Sequence, residues 1–445
     1  MMLATKCRIL QSKRQPNKRL TDAYRVLISA AFVLIANTSA LASDTDTDAL
    51  FLADTTPNAV EYASNMRSFV EGAYGGDTLS NRNTEQQNYR LSFDLQYENA
   101  FAFGWRAIFA NRLDINWPPQ SNFQNSIDTI KEAYVSRQAQ SDAIIDMGRI
   151  NIHDGVAMGY NPTDYFRLGA VRSVVSSDPS SLKANRQGSV MLRDQALWDS
   201  GSFTVLYSPK ISDQASNDSF NPNWGATNSQ DRFLISIGQK ISDSIKPQFL
   251  IYKETDLPVQ LGFNLTGLIN DAMVVYVEWS GGLSPSLLTQ ALTQQGVAPT
   301  DDTTFRNNVS TGITYTTTNN ISLTAELEYN DRGMDKTNWD ALYGNSPAMY
   351  GLYRNWLQVA QESPTKKSIF LYGKWQDALI NHLDFSIMER FDAVDYSRLT
   401  WLETRYHFGS SEFALQWQSN SGQSLSNYGA APQIQSWQVL FRLYI

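Results

Sequence analysis

The chain has 445 residues, of which 42% are hydrophobic and 18% are charged, and its formal net charge is −8. That length allows one large folded unit or two to three smaller domains. An acidic chain is a poor nucleic-acid binder, because phosphate backbones attract an excess of lysine and arginine. The single cysteine, Cys7, lies in the N-terminal leader, which excludes disulfides and cysteine catalysis from the rest of the chain.

The first 42 residues have the pattern of a secretory signal peptide. A basic stretch over residues 6–25 precedes an apolar run from Val26 to Ala36, and the small-residue sequence Ala40-Leu41-Ala42 follows. The apolar run is too short to span a bilayer as a helix, which takes about 20 residues. We therefore expect a signal peptide over 1–42, cleaved before Ser43, and a periplasmic tail over 43–65.

From residue 66 to 445 the chain alternates between apolar and polar side chains. The clearest alternating segments are 89–98, 101–112, 273–280, 321–330 and 437–445. A period of two places one set of side chains on each face of a β-strand. This pattern predicts many strands that each have one apolar and one polar face.

Eight short turn-like links join the strands into hairpins, and longer polar segments separate the hairpins. The short links are at 98–100, 140–142, 199–201, 242–244, 270–271, 319–320, 377–381 and 409–411, and the main long segments are 153–187, 209–230, 282–303, 331–366 and 419–434. Two further links, near 255–256 and 393–395, are short where long ones are expected. With a first strand around 66–75, the count is about 18 strands (16–18), and segment 350–361 could form a further strand.

This layout predicts an all-β fold, a transmembrane antiparallel β-barrel with long extracellular loops and short periplasmic turns. A sheet in hydrocarbon must close, because every backbone polar group needs an internal partner. Arginine at the lipid midplane costs about 2–4 kcal/mol, so the strand arginines are assigned to the lumen. Segments 143–152 and 188–197 are ambiguous. Neither register keeps every charged side chain off the lipid face, because Asp146 faces lipid in one register and Asp194 does so in the other.

Inward-facing charges are the candidates for pore lining and constriction. They are Arg90, Asp94, Arg106, Arg112, Glu132, Arg149, Asp164, Arg167, Glu278, Arg306, Glu326, Arg390, Glu403 and Arg405, with Asp114, Glu328 and Asp384 as further inward acids. Charges around a narrow aqueous pore select solutes by charge and size. Alternatively, they pair along the wall and stabilise a wet interior.

Segment 153–187 contains the most distinctive local sequence. Asn161-Pro162 and Asp164 form turns, and the neighbouring aromatic residues suggest a loop that packs against other parts of the protein. A packed loop of this length either enters the barrel and narrows it or forms an external cap.

The sequence contains no catalytic, metal or cofactor motif. His153, His382 and His407 fall in loops or near turns, and nothing places an acid or nucleophile beside them. An acidic calcium site at 299–303 is a weak alternative. We therefore expect no enzymatic activity, no metal and no cofactor.

Three short segments resemble large outer-membrane porins and alginate-export-like barrels. They are Glu132-Ala133-Tyr134-Val135, Gly148-Arg149 and Asn161-Pro162-Thr163-Asp164-Tyr165-Phe166. The resemblance implies a barrel of about this size that moves solutes or an anionic polysaccharide, with Arg149, Asp164 and Arg167 at or near the constriction. The chain departs from that pattern after Arg149, where Ile150-Asn151 follows.

The sequence therefore predicts a channel in the outer membrane for hydrophilic solutes, anionic ones included, with a charged lumen narrowed by the 153–187 loop. The alternative is an export barrel for an anionic polysaccharide or other polymer that works with periplasmic partners. Mixed lumen charge favours diffusion, because export of an acidic polymer calls for a continuous basic track. The expected partners are outer-membrane lipid and lipopolysaccharide, the barrel-assembly machinery and small hydrophilic solutes.

Overall fold

The structure, a computed structural model, describes residues 65–80, 85–118 and 125–445. The predicted signal peptide over 1–42, and the predicted tail up to residue 64, lie outside these residues. Among the described helices, none combines the length and the apolar character that crossing a membrane requires.

Strands make up most of the described chain and form one sheet. The strands are β1 Asn65–Leu79, β2 Glu85–Ala102, β3 Trp105–Trp117, β4 Ser126–Gln140, β5 Ala143–Ile150, β6 Ser189–Trp198, β7 Gly201–Ser208, β8 Arg232–Gln239, β9 Ile245–Glu254, β10 Gln260–Asn270, β11 Met273–Ser284, β12 Thr304–Thr316, β13 Ile321–Asn330, β14 Lys367–Trp375, β15 Leu383–Asp392, β16 Arg398–Phe408, β17 Ser411–Ser421 and β18 Gln433–Tyr444. Each strand pairs with the next, and β18 returns to pair antiparallel with β1. This closed 18-stranded sheet confirms the predicted fold class and strand count.

Short links lie at one end of the barrel, the short-turn end, and long segments lie at the other, the long-loop end. Seven of the predicted short links fall at the observed hairpin turns; the exception is the first. The β2 and β3 strands run past 98–100, and the turn forms at Phe103-Gly104, where Gly104 adopts a φ of 70°. The links over 255–259 and 393–397 are short segments at the long-loop end, as the sequence indicated.

Five short helices in the described residues lie within the long segments. They are α1 Pro179–Ala184, α2 Trp224–Thr227, α3 Leu287–Gln294, α4 Lys336–Asn345 and α5 Pro347–Ala360. The prediction of a further strand over 350–361 is therefore wrong. Ser346 caps α5 by accepting a hydrogen bond from the Met349 N–H, and buried residues then recur at helical spacing.

The helices α3, α4 and α5 form a helical lid over the long-loop end. Its buried cluster contains Leu287, Ala291, Trp339, Leu342, Tyr350, Tyr353, Trp356, Leu357 and Ala360. The lid is fixed to neighbouring loops, since Trp339 Nε1 donates to Asp395 Oδ2 at 2.9 Å and Tyr350 Oη donates to the Leu425 carbonyl at 3.0 Å.

The barrel exterior is apolar at alternate positions along each strand. In β9, Phe249 and Ile251 are 54% and 48% exposed, whereas Leu250 between them is 1% exposed. Such a belt suits a lipid environment. The ambiguous β5–β6 pair adopts the register that turns Asp146 inward, where Arg193 pairs with it at 2.7 Å, and leaves Asp194 on the outer face.

Candidate functional site

The segment over 151–188, the inserted loop, lies inside the barrel and contacts opposite walls. Its Gly159 N–H donates a hydrogen bond to Glu326 Oε2 on β13 at 2.8 Å. Its Arg172 side chain donates to the Asp128 carbonyl on β4, which lies nine strands from β13 in the 18-stranded barrel. Of the two arrangements considered from the sequence, the structure therefore has the loop within the bore.

Two glutamates on the wall hold the inserted loop by its backbone. Glu278 on β11 accepts hydrogen bonds from the N–H groups of residues 156 and 157. Glu326 on β13 accepts those of residues 158 and 159, at 2.6 and 2.8 Å. Both side chains are buried, at 0% and 1% exposed, so these four N–H groups replace the water that the carboxylates lose. We call Glu278 and Glu326 the acid clamp.

Two glycines let the loop approach the acid clamp closely. Gly155 has a φ of 91°, and a Cβ there would lie 2.6 Å from both carboxylate oxygens of Glu278. A Cβ on Gly159 would lie 2.6 Å from Cγ of Phe370 on β14. Side chains at either position would therefore push the loop away from the wall.

Beyond the acid clamp, ion pairs and ring stacking fix the loop. Asp164 pairs with Arg186 within the loop, and Arg167 pairs with Glu362, which follows α5. The ring of Tyr165 stacks on that of Tyr252 in β9, with centroids 4.3 Å apart.

Burial and neighbouring charges shift the pKa values of carboxyl groups in the loop. Burial would raise the pKa of Asp164, but the guanidinium groups of Arg186 and Arg167 hold that pKa below its usual range. Asp154 has no such partner, and burial together with the charge of Asp164 raises its pKa to about 7. The loop therefore contains one carboxyl group that titrates close to neutral pH.

Cavities lie on both sides of the inserted loop. The lumenal cavity, of about 820 Å³, extends to the short-turn end, where Asp271 and Gln376 line it. The vestibule, of about 410 Å³, lies at the long-loop end, where Leu257 and Trp356 line it. A side cavity of about 310 Å³ is lined by Glu132 and His153.

Charged side chains from β18 and β1–β4 form a network that we call the ionic wall. Its pairs are Glu71 with Arg90 (2.8 Å), Arg112 (3.1 Å) and Arg442 (2.8 Å), Arg112 with Asp114 (2.9 Å), and Lys131 with Asp94 (2.7 Å). Charges lining the lumenal cavity cancel: the acids are Glu71, Asp94, Asp178, Asp271, Asp384 and Glu403, and the cations are Arg90, Arg112, Lys131, Lys374, Arg405 and Arg442.

The predicted site residues divide into four groups in the structure. Arg90, Asp94, Arg112, Glu403 and Arg405 line the lumenal cavity; Glu278, Glu326 and Arg390 bind the loop backbone; Asp164 and Arg167 form ion pairs of the loop; Arg106, Glu132, Arg149 and Arg306 lie elsewhere. The structure thus brings the first three groups together around the inserted loop.

The residues of the fourth group do not line the lumenal cavity, and the three arginines among them bind other parts of the protein. Arg106 pairs with Glu98 at 2.8 Å, and Arg306 donates to the carbonyl of Ser284 at 3.0 Å. Arg149 donates to the carbonyls of Gly188 and Pro222, both at 2.8 Å, and its guanidinium lies over Trp224. Arg149 therefore lies at the base of the inserted loop.

Sequence reasoning missed several charged residues of the site, among them Glu71, Lys131, Arg442, Arg186 and Glu362. Alternation in the first and last strands could have identified Glu71 and Arg442. Lys131 faces inward because a bulge shifts the register opposite Ala110 and Asn111, and nothing in the sequence marks that bulge. Arg186 and Glu362 lie in long loops, whose pairing depends on the tertiary fold.

Both carboxylates of the acidic segment 299–303 accept a backbone N–H, but within the described part of the chain only Asp302 has an ion-pair partner. Asp302 accepts the Ser286 N–H at 3.0 Å and pairs with Arg306 at 3.3 Å, while Asp301 accepts the Thr303 N–H at 2.9 Å. Across the described ranges, no group of three or more histidine, cysteine or acidic residues is arranged to hold a metal ion.

A closed antiparallel barrel with an apolar exterior and a loop folded into its bore has the fold of a transmembrane β-barrel. No protein-family model matches the chain, and no curated protein matches it in sequence. Solved structures of outer-membrane porins do match it in fold.

Three such structures illustrate the likeness. OccAB3 of Acinetobacter baumannii is similar with a TM-score of 0.53 at 8% identity, over 86% of this chain and 99% of that one. OccK2 (OpdF) of Pseudomonas aeruginosa, in complex with glucuronate, is similar with a TM-score of 0.52 at 9% identity, over 86% and 98%. OccK8 (OprE) of the same organism is similar with a TM-score of 0.51 at 10% identity, over 86% and 98%. This likeness shows a shared fold, and the alginate-export-like subtype is not shown.

Proposed function

We propose that the chain is an outer-membrane channel for small hydrophilic solutes, in which the inserted loop forms the narrowest part of the path. One observation carries this proposal: the acid clamp holds the loop across the bore, between the lumenal cavity and the vestibule. A wall-mounted loop of this kind sets the size of what can pass.

Cavity size supports small solutes as the cargo. The two cavities, of about 820 and 410 Å³, fall within the range of about 300–1,000 Å³ typical of small-molecule sites. The OccK2 neighbour was solved with glucuronate, a monosaccharide acid, which is a molecule of this size class.

Charge does not support a general preference for anions in the lumenal cavity. Its acidic and basic side chains balance, and the arginines of the ionic wall are bound by carboxylates. Balanced opposite charges create a strong local field that orients polar solutes without attracting one sign overall. We therefore expect weak ion selectivity from this part of the path.

The export alternative has less support. A long acidic polymer calls for a continuous basic track, whereas acidic and basic side chains line the lumenal cavity in equal number and the inserted loop crosses the bore. The lipid, lipopolysaccharide and assembly-machinery partners stay predictions.

Single-channel recording tests the proposal. Protein reconstituted into planar bilayers should give discrete conductance steps in salt solution. Folding is checked on the same preparation by the shift in gel mobility between unheated and heated samples. A folded barrel that inserts but passes no current would contradict the channel function.

A further inference from the structure

The vestibule has an excess of negative charge that the lumenal cavity lacks. Carboxylates of Glu254, Asp256 and Asp301 line it, and no ion pair to any of them occurs among the described residues. The vestibule arginines, Arg167 and Arg332, are both bound to Glu362. Their positive charge is therefore already shared with a carboxylate, and the free charge of the vestibule is negative.

Buried acceptors without partners also line the vestibule. Asn308 on β12 is 5% exposed, and its Oδ1 has no hydrogen-bond partner. Asp164 is 3% exposed, and its Oδ1 lacks a partner although Oδ2 binds Arg186. Buried acceptors are normally satisfied, so Asn308 Oδ1 in particular is left with the capacity to accept a hydrogen bond from a molecule in the vestibule.

The vestibule also offers an aromatic surface with polar groups around it. The stacked rings of Tyr165 and Tyr252 line it, together with Trp356 of the helical lid. Hydroxyl and amide side chains surround these rings: Ser280, Ser284, Thr289, Thr293, Gln260 and Gln290. Aromatic faces pack against sugar rings and attract cations, and the hydroxyl and amide groups exchange hydrogen bonds with sugar hydroxyls.

We propose that the vestibule binds a hydroxylated solute that carries a positive charge, of the amino-sugar class. The ammonium group faces the unpaired carboxylates, and the ring hydroxyls donate to acceptors such as Asn308 Oδ1. Binding at this place rests only on the vestibule, whereas passage of the solute rests on the proposed channel function. The site selects the opposite charge from the glucuronate in the OccK2 structure.

Three sugars with the same six-membered ring and different charge test this proposal: glucosamine, glucose and glucuronate. Each is added to the long-loop side of a single channel, and current blockade is measured against concentration. Glucosamine should block at a concentration about tenfold lower than glucose, and glucuronate should be the weakest blocker, because one favourable ionic contact changes affinity by about this factor. Equal blockade by all three, or strongest blockade by glucuronate, would overturn the proposal.

Two variants locate the site. Glu254→Gln with Asp256→Asn and Asp301→Asn should abolish the preference for glucosamine while conductance in salt persists. The matched control, Asp213→Asn with Asp218→Asn and Asp340→Asn, removes the same charge from exposed positions of long segments that do not line the vestibule. If the preference for glucosamine is lost in both variants, it arises from the negative potential of the whole surface. That outcome would contradict a specific binding site in the vestibule.

A neutral variant separates local contact from field effects. Asn308→Ala keeps the charge and should weaken blockade by glucosamine and by glucose alike, since both donate hydroxyls. Calorimetry on the detergent-solubilised protein measures glucosamine binding without current. Glucosamine binding without conductance would support the vestibule site and contradict the channel function. Conductance without preferential binding of glucosamine would support the channel function and contradict the vestibule site.

Discussion

The acid clamp and the ionic wall both place carboxylates inside the barrel, yet their partners differ. Glu278 and Glu326 accept backbone N–H groups of the inserted loop, and they do so at the dry contact between loop and wall. Glu71 accepts guanidinium groups from three arginines and lines the lumenal cavity. An inward glutamate that binds backbone N–H groups of the loop thus fixes the shape of the path. An inward glutamate that binds arginine side chains instead sets the local charge of the path.

The difference separates two kinds of mutational effect. Removing a carboxylate from the acid clamp takes bonding partners from a movable loop, so the geometry of the path should change. Removing one from the ionic wall leaves the strands in place and changes the charge that passing ions meet.

The double variant Glu278→Gln, Glu326→Gln should release the inserted loop. The amide oxygens of glutamine accept hydrogen bonds more weakly than carboxylate oxygens do. A loss of about 1 kcal/mol at each of the four N–H groups would shift the equilibrium between bound and released loop by roughly a thousandfold toward the released loop. Single-channel recordings should show higher mean conductance and greater current noise.

Ser310→Ala provides the control for the double variant. Ser310 faces inward on β12, directly across from Glu278 on β11 and Glu328 on β13, and its Oγ has no hydrogen-bond partner among the described residues. This variant should conduct as the unmodified protein does. If the double variant keeps the original conductance, the acid clamp is not what holds the loop.

Opposite shifts of ion selectivity should follow from two substitutions in the ionic wall. Glu71→Gln leaves the lumenal cavity with excess positive charge, and Arg112→Gln leaves it with excess negative charge. The ratio of anion to cation permeability should rise about twofold in the first and fall about twofold in the second. Reversal potentials in a salt gradient measure this, and shifts of the same sign would contradict the balance of charges.

Gly159→Ala should displace the inserted loop by less than the double variant does. The new methyl group meets the Phe370 ring, with its Cβ 2.6 Å from Cγ, and the loop must move by a few tenths of an ångström or more. Gly351→Ala in α5 is the matched control, since a Cβ there meets nothing within 4 Å. We expect a measurable change of conductance in Gly159→Ala alone.

How far the sequence predicts these regions also differs. Alternation along strands placed Arg90, Asp94 and Arg112 inside the barrel, because inward and outward positions follow from a period of two. It also placed Glu278 and Glu326 inside, but it did not indicate that they bind the loop. That role depends on where the loop folds, which is a tertiary property.

Two local features escaped the sequence pattern for related reasons. The bulge at Lys131 breaks the period of two, so a residue that neighbours an inward glutamate also faces inward. The segment 350–361 has aromatic residues that fit a strand by composition, but Ser346 and Pro347 begin a helix there. In both cases one local irregularity outweighs a pattern spread over several residues.

The smallest expected effect concerns pH and Asp154 in the inserted loop. Its pKa in the folded protein is about 7, above the ordinary value of 3.8, so the loop conformation is stabilised at low pH and loses that stabilisation as the pH rises through 7. Current noise should therefore increase modestly as the pH rises from 3.8 to about 7, the interval between the ordinary pKa and the pKa in the folded protein, and should level off above it. Asp154→Asn should remove this dependence, whereas Asp213→Asn at an exposed position should retain it. If the pH profile is unchanged in Asp154→Asn, the titrating group is a different one. The position of the inserted loop would then not depend on the protonation of Asp154.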